Sequence, residues 1–143
     1  MTSSDLSAWQ ALFHQAPFVV DVGAELTALR PGECESALAL QPRHLQHSGQ
    51  VHAGVLTTLA DHTAGAAAQS TLRPGSGVIV TAELKLSLLR AARGEALRCV
   101  ARVIKPGRQL VFTEAELWCR QAGDEQLVAK LSATMAVVPA ATT

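Results

Sequence analysis

Between Glu35 and Glu83 the chain holds a single carboxylate, Asp61, set in the middle of a run of small apolar residues. No Lys or Arg lies within a turn or two of it to offset its charge, and a carboxylate taken out of water without a partner is costly. The residues alone allow two readings. Asp61 is a satisfied structural group, bonded through Thr57 or Thr58 one turn back or through His62, or it is a functional carboxylate facing a cleft. The residues ahead of it favour the second. Gln46-x-x-Gly49-x-x-His52-Ala53-Gly54 leads from a polar loop into the start of the same helix, where first-turn N–H groups have no intrahelical acceptor and can hold a developing anion. With Ala53 or Gly54 in the first turn, a rise of ~1.5 Å per residue puts Asp61 ~11–12 Å further along the axis. One small anion cannot touch both ends, so the spacing suggests a composite site, with a helix start from one chain and a helix middle from another.

The elements that must hold these groups follow from periodicity. Val55, Leu56, Leu59, Ala60, Thr63, Ala64, Ala66 and Ala67 recur at helical spacing, which predicts a central helix over residues 53–72 that is buried rather than laid on a surface. Near the start, Leu6, Trp9, Leu12 and Phe13 share one stripe of a short helix within residues 1–16, capped by Ser4 or Asp5, an amphipathic lid. Phe18–Leu29 and Glu33–Leu40 flank Arg30-Pro31-Gly32 as a predicted hairpin. Beyond Gly77 the period is two: Val78, Val80, Ala82, Leu84, Leu86 and Leu88 are expected on one face, Thr81, Glu83, Lys85 and Ser87 on the other. Leu97–Ile104, Gln109–Cys119 and Gln126–Val138 continue as strands, separated by turns at Arg93-Gly94, Lys105-Pro106-Gly107 and Ala122-Gly123-Asp124. This order implies an α+β domain in which an antiparallel sheet curls around one central helix. Its outer strands are open edges, so pairing with a second copy is expected.

Composition narrows the function classes. The length, 143 residues, suits one domain spanning 1–143. An apolar share of 48% against 17% charged excludes disorder, and no stretch of ~18 uncharged apolar residues reads as a membrane span. Twelve bases balance twelve acids, and five aromatic residues include no Tyr, which argues against a nucleic-acid binder. Cys34, Cys99 and Cys119 form no C-x-x-C pair and the start of the chain lacks a basic, then apolar, leader, so a reducing cytoplasm is expected, with the thiols as apolar strand residues. His44, His47, His52 and His62 have spacings that fit no ligand motif, so no metal is expected. The neutral total hides an asymmetry: residues 1–61 carry six acids and two bases, residues 62–108 eight bases and two acids. Charges on outer strand faces are the plainer account of it, and a phosphate-bearing small ligand is the functional one.

Taken together, Gln46-x-x-Gly49-x-x-His52-Ala53-Gly54, Thr58-Leu59-Ala60-Asp61-x-x-x-Gly65-x-Ala67, Val80-Thr81, Leu89-Arg90-x-Ala92-x-Gly94-Glu95 and Gly107-Arg108 resemble the hotdog-fold acyl-CoA thioesterases of the PaaI-like group. The resemblance runs from about residue 18 to residue 137. It implies a six-stranded antiparallel sheet around a helix, dimers with a continuous sheet or tetramers, and active sites shared between subunits. It implies that Asp61 is nucleophile or general base, that the Ala53 N–H polarises the thioester carbonyl, that a Thr81 hydroxyl from the facing subunit positions the carboxylate or its water, and that Gln46 and His52 sit near the thioester. Arg90, Arg93, Lys105 and Arg108 become candidates for the coenzyme A phosphates, no cofactor is needed beyond the substrate's own coenzyme A, and the acyl pocket is expected from strand faces and the Trp9 helix of a partner. This chain departs from the group's usual residues at Gln46, where Asn is common, and at Ala53, where Gly is common; Ala keeps the N–H but restricts φ. A hotdog hydratase or dehydratase pairing His52 with Asp61, and a non-catalytic acyl-CoA-binding domain, are the competing readings.

Overall fold

Helix α3, Ala53–Gln69, is built from Ala, Leu and Thr with His52 as its N-cap. Leu56, Leu59, Ala60, Thr63, Ala64, Ala67 and Ala68 are buried on one face of it, the i, i+3, i+4 spacing of a stripe that packs on a sheet. Small residues bring the helix axis close to the strands. Leu59 is fully buried, and its truncation to Ala would cost about 2–5 kcal/mol. Buried Thr63 is satisfied too: its hydroxyl donates to Leu59 O (2.6 Å) and accepts from Ser36 Oγ (2.6 Å). The opposite face, with Thr57, Thr58, Asp61 and Gly65, is only half-buried, so the helix is embedded on one side rather than all round.

The computed structural model describes residues 3–142, with side chains from residue 7 onward. The expected caps Ser4 and Asp5, and Leu6 of the lid stripe, are outside the described side chains. Around α3 lie α1 (Ser3–Phe13), α2 (Pro17–Val22), β1 (Glu25–Arg30), β2 (Glu33–Ala39), β3 (Gly77–Leu88), β4 (Ala96–Lys105), β5 (Leu110–Gln121) and β6 (Asp124–Pro139). The strands form one antiparallel sheet in the order β1-β2-β4-β5-β6-β3, wrapped around α3, so β1 and β3 are its edges. Among the described residues no helix is long and apolar enough to cross a membrane.

Two local differences from the sequence reading matter. The expected strand from Phe18 begins only at Glu25, because Pro17 opens a short helix at its first position and Gly23 closes it in the left-handed conformation (φ 94°). Val19 is buried there, while Phe18 and Val20 face outward. Second, β3 does not keep one alternation. Thr81 lies opposite Met135 and Glu83 opposite Thr134, so Ala82 is an extra residue, a bulge. Ahead of it Ile79 and Thr81 face the helix and Val78 and Val80 face out; after it Leu84 and Leu86 face the helix. The bulge turns Thr81 away from the polar face that strict alternation assigns to it.

Candidate active site

The start of α3 forms the first part of the site. His52 is extended (φ −63°, ψ 137°), and its Nδ1 accepts the Gly54 N–H at 2.8 Å. That bond occupies Gly54, so the first-turn donor left open is Ala53: among the described residues its N–H has no acceptor. Ala53 lines a cleft of about 590 Å³ together with Gln46, His47, His52, Leu88, Leu89 and Arg90. The loop before it is stapled in place: Val51 N–H donates to Ala92 O (2.9 Å), His52 N–H to His44 O (2.9 Å), and Arg93 Nη1 to Ser48 O (3.1 Å). Gln46 folds back on its own turn, its amide donating to Ser48 Oγ at 2.7 Å, and Gly49 makes that turn with φ 84°.

The second part surrounds Asp61. Thr81 Oγ1 donates to Asp61 Oδ1 at 2.7 Å within the same chain, which corrects the expectation that this hydroxyl comes from a facing subunit. The three partners of a purely structural Asp61 are engaged elsewhere: Thr57 with Ala53 O, Thr58 with Gly54 O (each 2.8 Å), and His62 Nε2 with Phe13 O (2.9 Å). Asp61 is in no ion pair among the described residues. Its cleft, about 290 Å³, is walled by Trp9, Leu12 and Phe13 of α1, Leu26, Ala66 and Ile79. The Trp9 helix therefore lines the Asp61 cleft of its own chain, where the sequence had assigned it to a partner's pocket. It is tied down by Gln10 Nε2 to Leu26 O (3.1 Å), and by the His62 bond, whose ring also packs edge-on against Phe13 at 4.3 Å.

Eight residues apart on one helix, Ala53 and Asp61 thus line two different clefts of a single protomer. The four basic candidates divide the same way. Arg90 and Arg93 stand beside the Ala53 cleft, with Arg90 Nη1 bonded to Leu127 O (3.0 Å). Lys105 and Arg108 flank the β4–β5 turn, and the register Thr81–Met135–Val111, with Lys105 opposite Phe112, puts that turn at the Asp61 end of the sheet. A single protomer therefore does not gather all four around one phosphate group.

The histidines have individual roles in the fold. His44 is buried, accepting the Gln41 N–H at Nδ1 (3.0 Å) and meeting Val22 O at Nε2 (2.7 Å); His52 caps α3 and His62 holds α1. Among the described residues no three His, Cys, Asp or Glu side chains come together as a metal site. The thiols are all buried. Burial raises each, with the neighbouring Cys99 adding to the rise at Cys34, and pushes Cys99 up to about 12. None is poised as a nucleophile.

The profile of the thioesterase superfamily matches residues 48–125, more than half of the chain. A Caenorhabditis elegans protein provisionally named an esterase is 32% identical over 107 residues, 74% of this chain and 60% of its own length; the chain thus spans well under two thirds of that relative. Human acyl-coenzyme A thioesterase 13 is 28% identical over 99 residues, 68% of this chain and 69% of its own. The crystal structure of a thioesterase family protein from Silicibacter pomeroyi, 30% identical, matches with a TM-score of 0.88 over 92% of this chain and 96% of that one. The chain belongs to the thioesterase superfamily, and its sheet wrapped on α3 is the hotdog fold.

Proposed function

We propose that this protein hydrolyses acyl-CoA thioesters, with Asp61 as the catalytic carboxylate and the Ala53 N–H as the oxyanion donor. The observation that carries the reading is the Thr81–Asp61 bond in an apolar cleft: a carboxylate fixed by one hydroxyl keeps its other oxygen free for a water or a carbonyl carbon. Either Asp61 takes a proton as water adds to the thioester carbon, or it adds itself to give a mixed anhydride that water then opens. In both routes the carbonyl oxygen gains negative charge, the C–S bond breaks to release the coenzyme A thiolate, which takes the proton given up by the hydrolytic water, and a dipole-backed N–H at a helix start lowers the barrier.

The halves meet if β3, an open edge, pairs antiparallel with a second β3 across a two-fold axis. Leu88 and Leu89 border the Ala53 cleft, while Val78, Ile79 and Thr81 border the Asp61 cleft. Antiparallel pairing sets the Leu88 end of one strand beside the Gly77 end of the other, so each Ala53 cleft faces a partner's Asp61 cleft. Arg90 and Arg93 would then enter a site from one chain, Lys105 and Arg108 from the other, all within reach of a ligand as long as coenzyme A. His52 spends its Nδ1 on the Gly54 N–H as the cap of α3, which favours hydrolysis over a hydratase that pairs His52 with Asp61. Human acyl-coenzyme A thioesterase 13 lends its name to the substrate class. The test is free-thiol release from acyl-CoA by the purified protein, compared with Asp61→Asn; release by the wild type that the variant lacks supports the reading, and equal rates overturn it.

A further inference from the structure

We infer that Gly65 sets the width of the acyl pocket, and that the pocket takes compact acyl groups of about nine carbons or fewer; this rests on the hydrolase reading for its substrate and on the cleft for its geometry. Gly65 lies one turn beyond Asp61 on the same face of α3, in the helix interior, where glycine costs about 1 kcal/mol relative to alanine. Glycine is kept in helices mostly where a Cβ would collide. Here it would not: a Cβ built on Gly65 meets no atom within 4 Å. The empty space is the Asp61 cleft, which Gly65 lines along with Ala66, Phe13 and Ile79. A residue that weakens its helix and relieves no contact in the protomer is accounted for by what occupies that space, and what lies there, one turn (~5.4 Å) from the carboxylate, is the acyl chain beyond its first two carbons.

The dimensions of the cleft limit that group. Its volume is about 290 Å³, and at the ~30 Å³ that a water-sized unit takes up in a liquid, about nine methylenes fill it. One wall is α1, which is held by the His62–Phe13 and Gln10–Leu26 bonds, so extra length on that side finds no room without displacing that helix. Side chains grafted at position 65 fill the cleft from its floor and should exclude carbons one at a time, each worth about fourfold in affinity.

The experiment measures two things on the wild type, Gly65→Ala and Gly65→Val: the affinity of non-hydrolysable S-alkyl-CoA thioethers of two to sixteen carbons by calorimetry, and turnover of the matching thioesters. The inference expects wild-type affinity to rise to about eight or nine carbons and then fall. In Gly65→Ala the optimum should shorten, and affinity for the octyl ligand should drop about fourfold while the ethyl ligand is unaffected. Gly65→Val should lose octyl binding about fiftyfold. Gly65→Ala should also melt a few degrees higher, since the helix gains an alanine without a clash, which separates a filled pocket from a damaged fold. Equal losses at every chain length, no change in the length profile, or a change in oligomeric mass would each overturn the inference. If thioether affinities shift as stated while no thioester is cleaved, the pocket stands and the hydrolase reading falls.

Discussion

The two clefts along α3 differ in nearly everything but the helix they share. The one at Ala53 is wide, about 590 Å³, bordered by Gln46, His52 and Arg90, and its working group is a backbone N–H. The one at Asp61 is about half that volume, walled by Trp9, Leu12, Phe13 and Ile79, and its working group is a side chain fixed by Thr81. The wider cleft, with Gln46, His52 and Arg90 at its border, suits a hydrated, charged carrier; the smaller and more apolar one suits a hydrocarbon group. The contrast teaches that one helix carries an open N–H at its tip and a carboxylate at its middle in separate clefts, and on the proposed reading two copies of the helix join them in one site.

The largest effect expected from breaking this division is at Asp61. Asp61→Asn keeps the shape and removes the base or nucleophile, and turnover should fall about 10³- to 10⁴-fold, read as thiol release under saturating substrate. Next comes Ala53→Pro. Position 53 is the first helical residue, where proline is well accommodated and deletes only the N–H; kcat should drop about 100-fold with the melting temperature unchanged. Mixing the two dead variants sharpens the comparison. If each site draws one cleft from each chain, mixed dimers regain one intact site, and about a quarter of wild-type activity returns on random exchange; no recovery would mean that each chain works alone. Thr81→Val removes one hydrogen bond to a charged group and should slow turnover about tenfold.

The smallest effect lies away from both clefts. Burial holds the Cys99 thiol up at about 12, against an ordinary 9.0, and raises Cys34 as well. The folded chain therefore keeps protons that the unfolded chain releases, so the stability due to these thiols is complete below about pH 9 and declines as pH rises towards 12, by ~1.4 kcal/mol per pH unit for each thiol. Melting curves taken from pH 8 to 11 should show that decline, and Cys99→Ala should lessen it; the chain has no Tyr to titrate in the same range.

Much of this arrangement was legible in the residues. Asp61 stood out because no other acid occurs between Glu35 and Glu83, and α3 because a 3.6-residue period in small residues has few other meanings. What escaped was what types alone do not encode. Phe18-Val19-Val20 has strand chemistry, and only Pro17 and Gly23, one at each end, mark it as a helical turn. The β3 bulge was hidden because Thr81 resembles Glu83, Lys85 and Ser87 in polarity, so an unbroken alternation absorbed it; the extra residue, Ala82, is small enough to fit either face. His52 is an unusual cap, and its engagement with Gly54 decided which amide stays open. Which basic residues share an end of the sheet depended on register, and register is a property of the paired strands, not of either one.

All three thiols of this protein are buried on its strands, Cys34 and Cys99 within 1% of complete burial and Cys119 at 3% exposure. A colorimetric reagent that counts released coenzyme A would thus find almost nothing to react with on the native protein itself. Colour that develops before any substrate is added would report unfolding in the cuvette, and the same blank that corrects the assay doubles as a check on the integrity of the sample.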